Sequence, residues 1–155
     1  MQSIGAKLAV AAVAATAYCQ GAAQSGAADA LLPFAVAGDA VPAPLGGLSG
    51  DAARGLALIR DRRIGNCLIC HRLNLADEPF QGEIGPPLEG VGSRLTAGQI
   101  RLRLIDQSRI NPDTVMPPYY RTAGLVHVAP EYQGRPALDA QQIEDMVVYL
   151  TTLKD

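Results

Sequence analysis

Gly65-Asn66-Cys67-Leu68-Ile69-Cys70-His71 is the stretch whose reading decides this fold. Its last five residues form C-x-x-C-H. Two thiols at this spacing match the two vinyl positions on one edge of a haem, and each can add across one vinyl group to form a thioether. The next residue, His71, then lies beneath the ring, where an imidazole nitrogen reaches the iron. A single helical turn delivers all three groups. Three other chemistries use similar residues. A thioredoxin-like C-x-x-C follows a strand and opens a helix, whereas here a helical pattern precedes and a glycine-rich run follows. Zinc would require a fourth ligand, to be drafted from His127, Asp77 or Glu78. A disulfide between Cys67 and Cys70 would close a loop too short to add much stability. Covalent haem c, one per chain, is the reading the motif favours.

A low-spin electron-transfer haem needs a ligand on its second face, and the chain offers few. Met116 sits in Asn111-Pro112-Asp113-Thr114-Val115-Met116-Pro117-Pro118. Its prolines stiffen the loop and reduce the entropic cost of holding a thioether in place. Met146 falls on the apolar stripe of a helix and reads as core packing. His127, between Val126 and Val128, is the alternative ligand and would give a lower potential than a thioether. Gly85-Pro86-Pro87-Leu88 is a rigid turn. The Pro86 carbonyl suits the second ring nitrogen of His71, and Leu88 would press on the ring edge. Tyr119, Tyr120 and Arg121 follow the methionine loop directly. They are candidates for the pocket wall, for a propionate contact or for a partner-binding rim.

Outward from these motifs the chain reads as helices joined by long ordered loops. Ser49 caps a first helix over about 50–62, with Ala52, Leu56 and Ile59 on one side. Thr96 and Gln99 form a capping box for a second helix that ends near Gln107. Its Ile100 and Leu104 share a face, and Arg101 points elsewhere. Asp139 and Gln142 form a capping box for the last helix, 140–152. Its Ile143, Val147 and Leu150 follow the i, i+4, i+7 rule. Residues 125–128 read as a short strand or a buried turn. Glycines and prolines punctuate 66–94, and Pro112, Pro117 and Pro118 forbid regular structure across 111–118. So long an irregular span needs an organising element, and a large buried cofactor would provide one.

The N-terminal third divides in two. Residues 1–30 carry Lys7, a short apolar run from Leu8 to Tyr18, and Ala28-Asp29-Ala30. These are the parts of a cleaved secretory signal, and the apolar run is too short to cross a bilayer as a helix. Bulky Tyr18 before Cys19 argues against lipid attachment. No transmembrane segment is expected in the mature chain. Residues 31–48, rich in Pro and Gly, form an arm that runs extended along the body or stays loose. Residues 49–155 form the domain.

The chain has 155 residues, 48% of them hydrophobic and 18% charged, with 13 Lys plus Arg against 15 Asp plus Glu. The net charge of -2 and the scarcity of aromatics (two Phe, five Tyr, no Trp) exclude a broad basic face or a base-stacking platform for nucleic acid. No acid–base pair suited to catalysis stands out.

Together three segments resemble the SoxX family. They are 65–71, Gly85-Pro86-Pro87-Leu88-Glu89-Gly90-Val91-Gly92, and Met116-Pro117-Pro118-Tyr119-Tyr120-Arg121 followed by the helix at 142–154. SoxX is the monohaem subunit of the SoxAX cytochrome complex of bacterial thiosulfate oxidation. The resemblance implies an all-α, class I cytochrome c-like fold around one haem and a periplasmic location. It implies Cys67 and Cys70 as attachment points and His71 and Met116 as axial ligands. It also implies a SoxA-like haem subunit as partner. Thiosulfate would be joined oxidatively to a cysteine of a SoxYZ-like carrier protein at the SoxA haem, whose iron has a cysteine ligand. The SoxX subunit would pass electrons to a soluble cytochrome c or an oxidase. A free soluble cytochrome c and a haem-based ligand sensor or peroxidase remain as alternatives.

Overall fold

The computed structural model describes residues 31–155; the expected signal segment, with Cys19, lies outside the described residues. Four α-helices carry the architecture: α1 (Ala52–Arg60), α2 (Val91–Arg94), α3 (Ala97–Asp106) and α4 (Ala140–Thr152). No strand forms among the described residues, and one isolated bridge joins Ala37 to Ala40. Helix α4 is the spine. Asp139 accepts from the Gln142 N–H at 2.8 Å, and the Gln142 side chain accepts from the Asp139 N–H at 2.9 Å. This reciprocal cap satisfies two of the four orphan donors at a helix start. One face then buries Ile143, Met146, Val147 and Leu150.

Helix α1 crosses α4 at a close approach. A Cβ on Gly55 would collide with the Asp145 carbonyl, so only glycine lets the two backbones come this near. The cap of α1 is Asp51, which accepts from the Arg54 N–H at 2.8 Å. The sequence had pointed to Ser49, and the helix begins later than that reading placed it. Asp51 wins because its own N–H is also held, by Asp145 Oδ1 at 2.8 Å, which fixes the start of α1 to α4.

Helix α3 begins at the expected capping box. The Gln99 N–H donates to Thr96 Oγ1 at 3.3 Å and the Thr96 N–H to Gln99 Oε1 at 2.9 Å. Ile100, Leu102, Leu104 and Ile105 are buried along it. Arg101 leaves the Ile100–Leu104 face, as expected, yet it is buried too. Its guanidinium makes a two-pronged pair with Glu144 on α4, Nε to Oε1 at 2.7 Å and Nη2 to Oε2 at 2.8 Å. The side chains are only 4% and 2% exposed. A buried pair like this stabilises only when its remaining hydrogen-bonding capacity is also met.

The arm meets it. Arg101 Nη1 donates to the Val41 carbonyl at 2.7 Å, and the Leu45 N–H donates to Glu144 Oε1 at 2.9 Å. Val41 and Leu45 are themselves buried. Further out, the Leu32 N–H donates to the Tyr120 hydroxyl at 2.7 Å, and Phe34 packs at a tilt on the Tyr120 ring, centroids 6.4 Å apart. The 31–48 arm is therefore bound to the body at both ends, reversing at Ala37–Ala40 and closing in a 3-10 turn at Leu45–Gly47. The 125–128 segment is neither strand nor buried turn. It is mostly exposed loop, with Val126 81% exposed and His127 at φ 54°.

Candidate functional site

The C-x-x-C-H segment follows α1 through a tight reversal. Asn66 adopts the left-handed conformation (φ 51°), and Cys67–Ile69 form a single 3-10 turn. The N–H groups of Cys70 and His71 both donate to the Cys67 carbonyl, at 3.1 and 2.9 Å. That turn puts both thiols and the imidazole in the wall of one cavity of about 900 Å³. The Gly82–Leu88 segment runs beside it. Gly82, Gly85 and Leu88 donate to the carbonyls of Leu68, Cys70 and Arg72, each at 2.8 Å. Between those bonds the His71 Nδ1–H donates to the Pro86 carbonyl at 2.7 Å. The tautomer follows from chemistry, because a carbonyl can only accept. A Cβ on Gly85 would lie 2.6 Å from His71 Nδ1, so the glycine makes room for the ring.

Both cysteines are free. Burial pushes the Cys67 thiol up to about 12, against a smaller lowering by Tyr119. This buried setting disfavours the thiolate. The extra zinc ligands weighed above are also elsewhere. Asp77 and Glu78 are paired with Arg60, and His127 is exposed and lies outside the cavity wall. Among the described residues no group of three or more metal-binding side chains gathers.

Met116, partly buried, and Met146, fully buried, both line this cavity. Leu88, Val91, Leu104 and Leu150 make the lining apolar. Arg62, Arg63 and Arg103 also line the cavity. Sequence reading missed these arginines, as well as Ile59, Ile100 and Tyr132, which also line the cavity. They come from three separate stretches of chain, so no local pattern signals them.

Tyr119 and Tyr120 separate. Tyr119 is buried in the cavity wall and its hydroxyl donates to the Gly65 carbonyl at 2.9 Å, which braces the turn before Cys67. Burial raises the Tyr119 hydroxyl well above the usual tyrosine range. Tyr120 faces the arm instead, and Arg121 donates to Asp106 at 2.9 Å and Ser108 at 3.1 Å. Neither lines the cavity. The Tyr119 and Tyr120 N–H groups donate to the Leu104 and Ile105 carbonyls, which holds this bend against the end of α3 with Tyr119 toward the cavity and Tyr120 toward the arm. Adjacency in sequence had grouped all three with the pocket. Between the two cysteines, Leu68 is 1% exposed and faces the core, while Ile69 is 55% exposed.

These residues fit a covalently held haem. Two unpaired thiols, an imidazole with Nδ1 committed and Nε2 left for a metal, and a thioether share one largely apolar cavity with arginines in its wall. The cavity also lies at the upper end of the size range of small-molecule sites.

The cytochrome c family model matches residues 52–154. A chain in the crystal structure of SoxXA from P. pantotrophus is 35% identical, with a TM-score of 0.73, over 79% of this chain and 95% of that one. The chain belongs to the cytochrome c family, in its SoxX branch. A search of curated proteins returned no match. Membership of the SoxX branch agrees with the all-α cytochrome c fold described above and with an electron-transfer role through covalently bound haem c. No helix among the described residues is long and apolar enough to cross a membrane.

Proposed function

We propose that this SoxX-type chain is an electron relay with one haem c, attached through Cys67 and Cys70 and held axially by His71 and Met116. The observation that carries the reading is that all four side chains line one cavity. When bound, the haem supplies a one-electron couple. The chain's own residues do the rest. Pro86 holds the His71 ring by its Nδ1–H and leaves Nε2 available. Prolines on the C-terminal side of Met116 stiffen its loop, and the Met116 N–H donates to Thr114 Oγ1 at 3.1 Å. Apolar walls exclude water and set the local dielectric, which tunes the potential of the centre.

The relay acts within a complex, in the periplasm, after removal of residues 1–30. Its partner is a SoxA-like haem subunit, at which thiosulfate is joined to a cysteine of a SoxYZ-like carrier. This chain takes up the electrons released and hands them to a soluble cytochrome c or an oxidase. The docking face surrounds the cavity mouth, where Ile69, Ile84 and Val115 are 55%, 72% and 79% exposed. Apolar side chains this exposed around a cavity suit burial by a partner. Arg62 and Arg63 flank them with positive charge.

The test is to purify the haem-loaded chain alone and after co-expression with a SoxA-like subunit. The expected result is a c-type spectrum without thiosulfate turnover for the isolated chain, and stable co-purification with turnover for the pair. Efficient turnover by the isolated chain would contradict the relay, and failure to associate would favour a free soluble cytochrome.

A further inference from the structure

The turn that holds His71 has a structural weakness. Pro86 and Pro87 carry no N–H, so the turn cannot fasten itself through its own backbone donors at those two positions. Its carbonyls need donors from elsewhere. Pro86 faces His71, which leaves the carbonyls on either side of Leu88. Arg94 takes both: Nη1 donates to the Glu89 carbonyl at 2.7 Å and Nη2 to the Pro87 carbonyl at 2.9 Å. A guanidinium suits this task because its donors form a rigid planar fork. The arginine itself stands on a fixed base. It closes α2, whose Gly92 N–H donates to the Leu153 carbonyl at 2.9 Å, and Lys154 Nζ returns to the Gly92 carbonyl.

We propose that Arg94 is a positioning residue for the iron ligand. It fixes the Pro86 carbonyl against the His71 Nδ1–H and thereby sets how strongly the imidazole donates to the metal. This rests on the covalent-haem reading of the site. Rigid support runs from the end of α4 through α2 and the Arg94 fork to the proline turn, and from there to the imidazole. A firm Nδ1–H bond raises ligand basicity and favours oxidised iron. Loosening the turn weakens that bond and raises the reduction potential. A bare loss of positive charge near the centre would have the opposite effect, so the sign of the change separates positioning from electrostatics.

Arg94→Lys tests this in the haem-loaded full chain, because it keeps the charge and removes the fork. The expected result is roughly tenfold faster solvent exchange of the His71 Nδ1 proton by NMR, the scale of one lost hydrogen bond, with a higher potential. Exchange within twofold of the parent, with a potential unchanged or lowered, would overturn the proposal. If the variant fails to mature, the parent protein still decides. Its Arg94 Nη protons should be resolved, slow to exchange and coupled through hydrogen bonds to the Pro87 and Glu89 carbonyls. Absence of both couplings would overturn the proposal. A colourless parent would remove the haem reading with it, whereas a coloured one with unchanged exchange would remove this proposal alone.

Discussion

The back of the molecule and the front are held by different means. At the back, α3, α4 and the arm are joined by a buried ion pair whose remaining donors and acceptors are met from the arm, and α1 is tied to α4 through Asp145. At the front, the 66–90 and 111–119 segments have no long helix. They are held by single backbone bonds between loops, by close glycine contacts and by the Arg94 fork. The back holds itself together, whereas the front is shaped around a cavity. A relay can use that division, since a fixed frame keeps the ligands in place while the front presents the cavity mouth to a partner.

The sharpest way to break the comparison is Glu144→Ala. It strands the Arg101 guanidinium in the core and releases Leu45, so a loss of about 3–5 kcal/mol is expected in chemical denaturation. The loss should be similar with and without haem, because the pair lies behind the cavity. Next comes Gly85→Ala, where the new methyl meets the His71 ring. Overpacking of this kind costs about 1–3 kcal/mol, and the haem spectrum should change more than the unfolding midpoint. Met116→Ala removes a partly buried side chain packed on the core, so it should cost stability, though less than the about 2–5 kcal/mol of a fully buried methionine. It should abolish the charge-transfer band of methionine-ligated ferric haem and lower the potential; an unchanged spectrum would point to another ligand.

The smallest effect concerns acid. Burial alone would raise the Asp145 carboxyl, but Arg54, Gln141 and the Asp51 N–H together hold it below its ordinary value of 3.8. A lowered carboxylate stabilises the fold fully above that value, and the contribution fades as pH falls through the lower, folded-state value. Asp145→Asn should therefore cost stability at neutral pH, with the gap to the parent closing below about pH 4 in acid titrations.

What could be read in advance follows the same division. Helix α4 and the α3 cap were legible because capping boxes and the i, i+4 stripe are local signals. The C-x-x-C-H turn and the Pro86 acceptor were legible because covalent spacing constrains them. The four-residue α2 was not, since so short a helix has no period to detect. Arg101 was read only as turned away from its helix face. Its burial depends on Glu144 and Val41, both distant in sequence. The same holds for Tyr120, whose partner Leu32 lies in the arm. Arg121 and Tyr120 were grouped with Tyr119 by adjacency, and their partners Asp106, Ser108 and Leu32 are supplied by other segments that adjacency does not reveal.

The most direct test is the intact mass and pyridine haemochrome spectrum of the chain matured in an export-competent host. The account expects the processed polypeptide plus one haem, with a spectrum typical of two thioether bonds and no loss of haem on acid extraction. A folded, colourless protein with the mass of the bare polypeptide would contradict it.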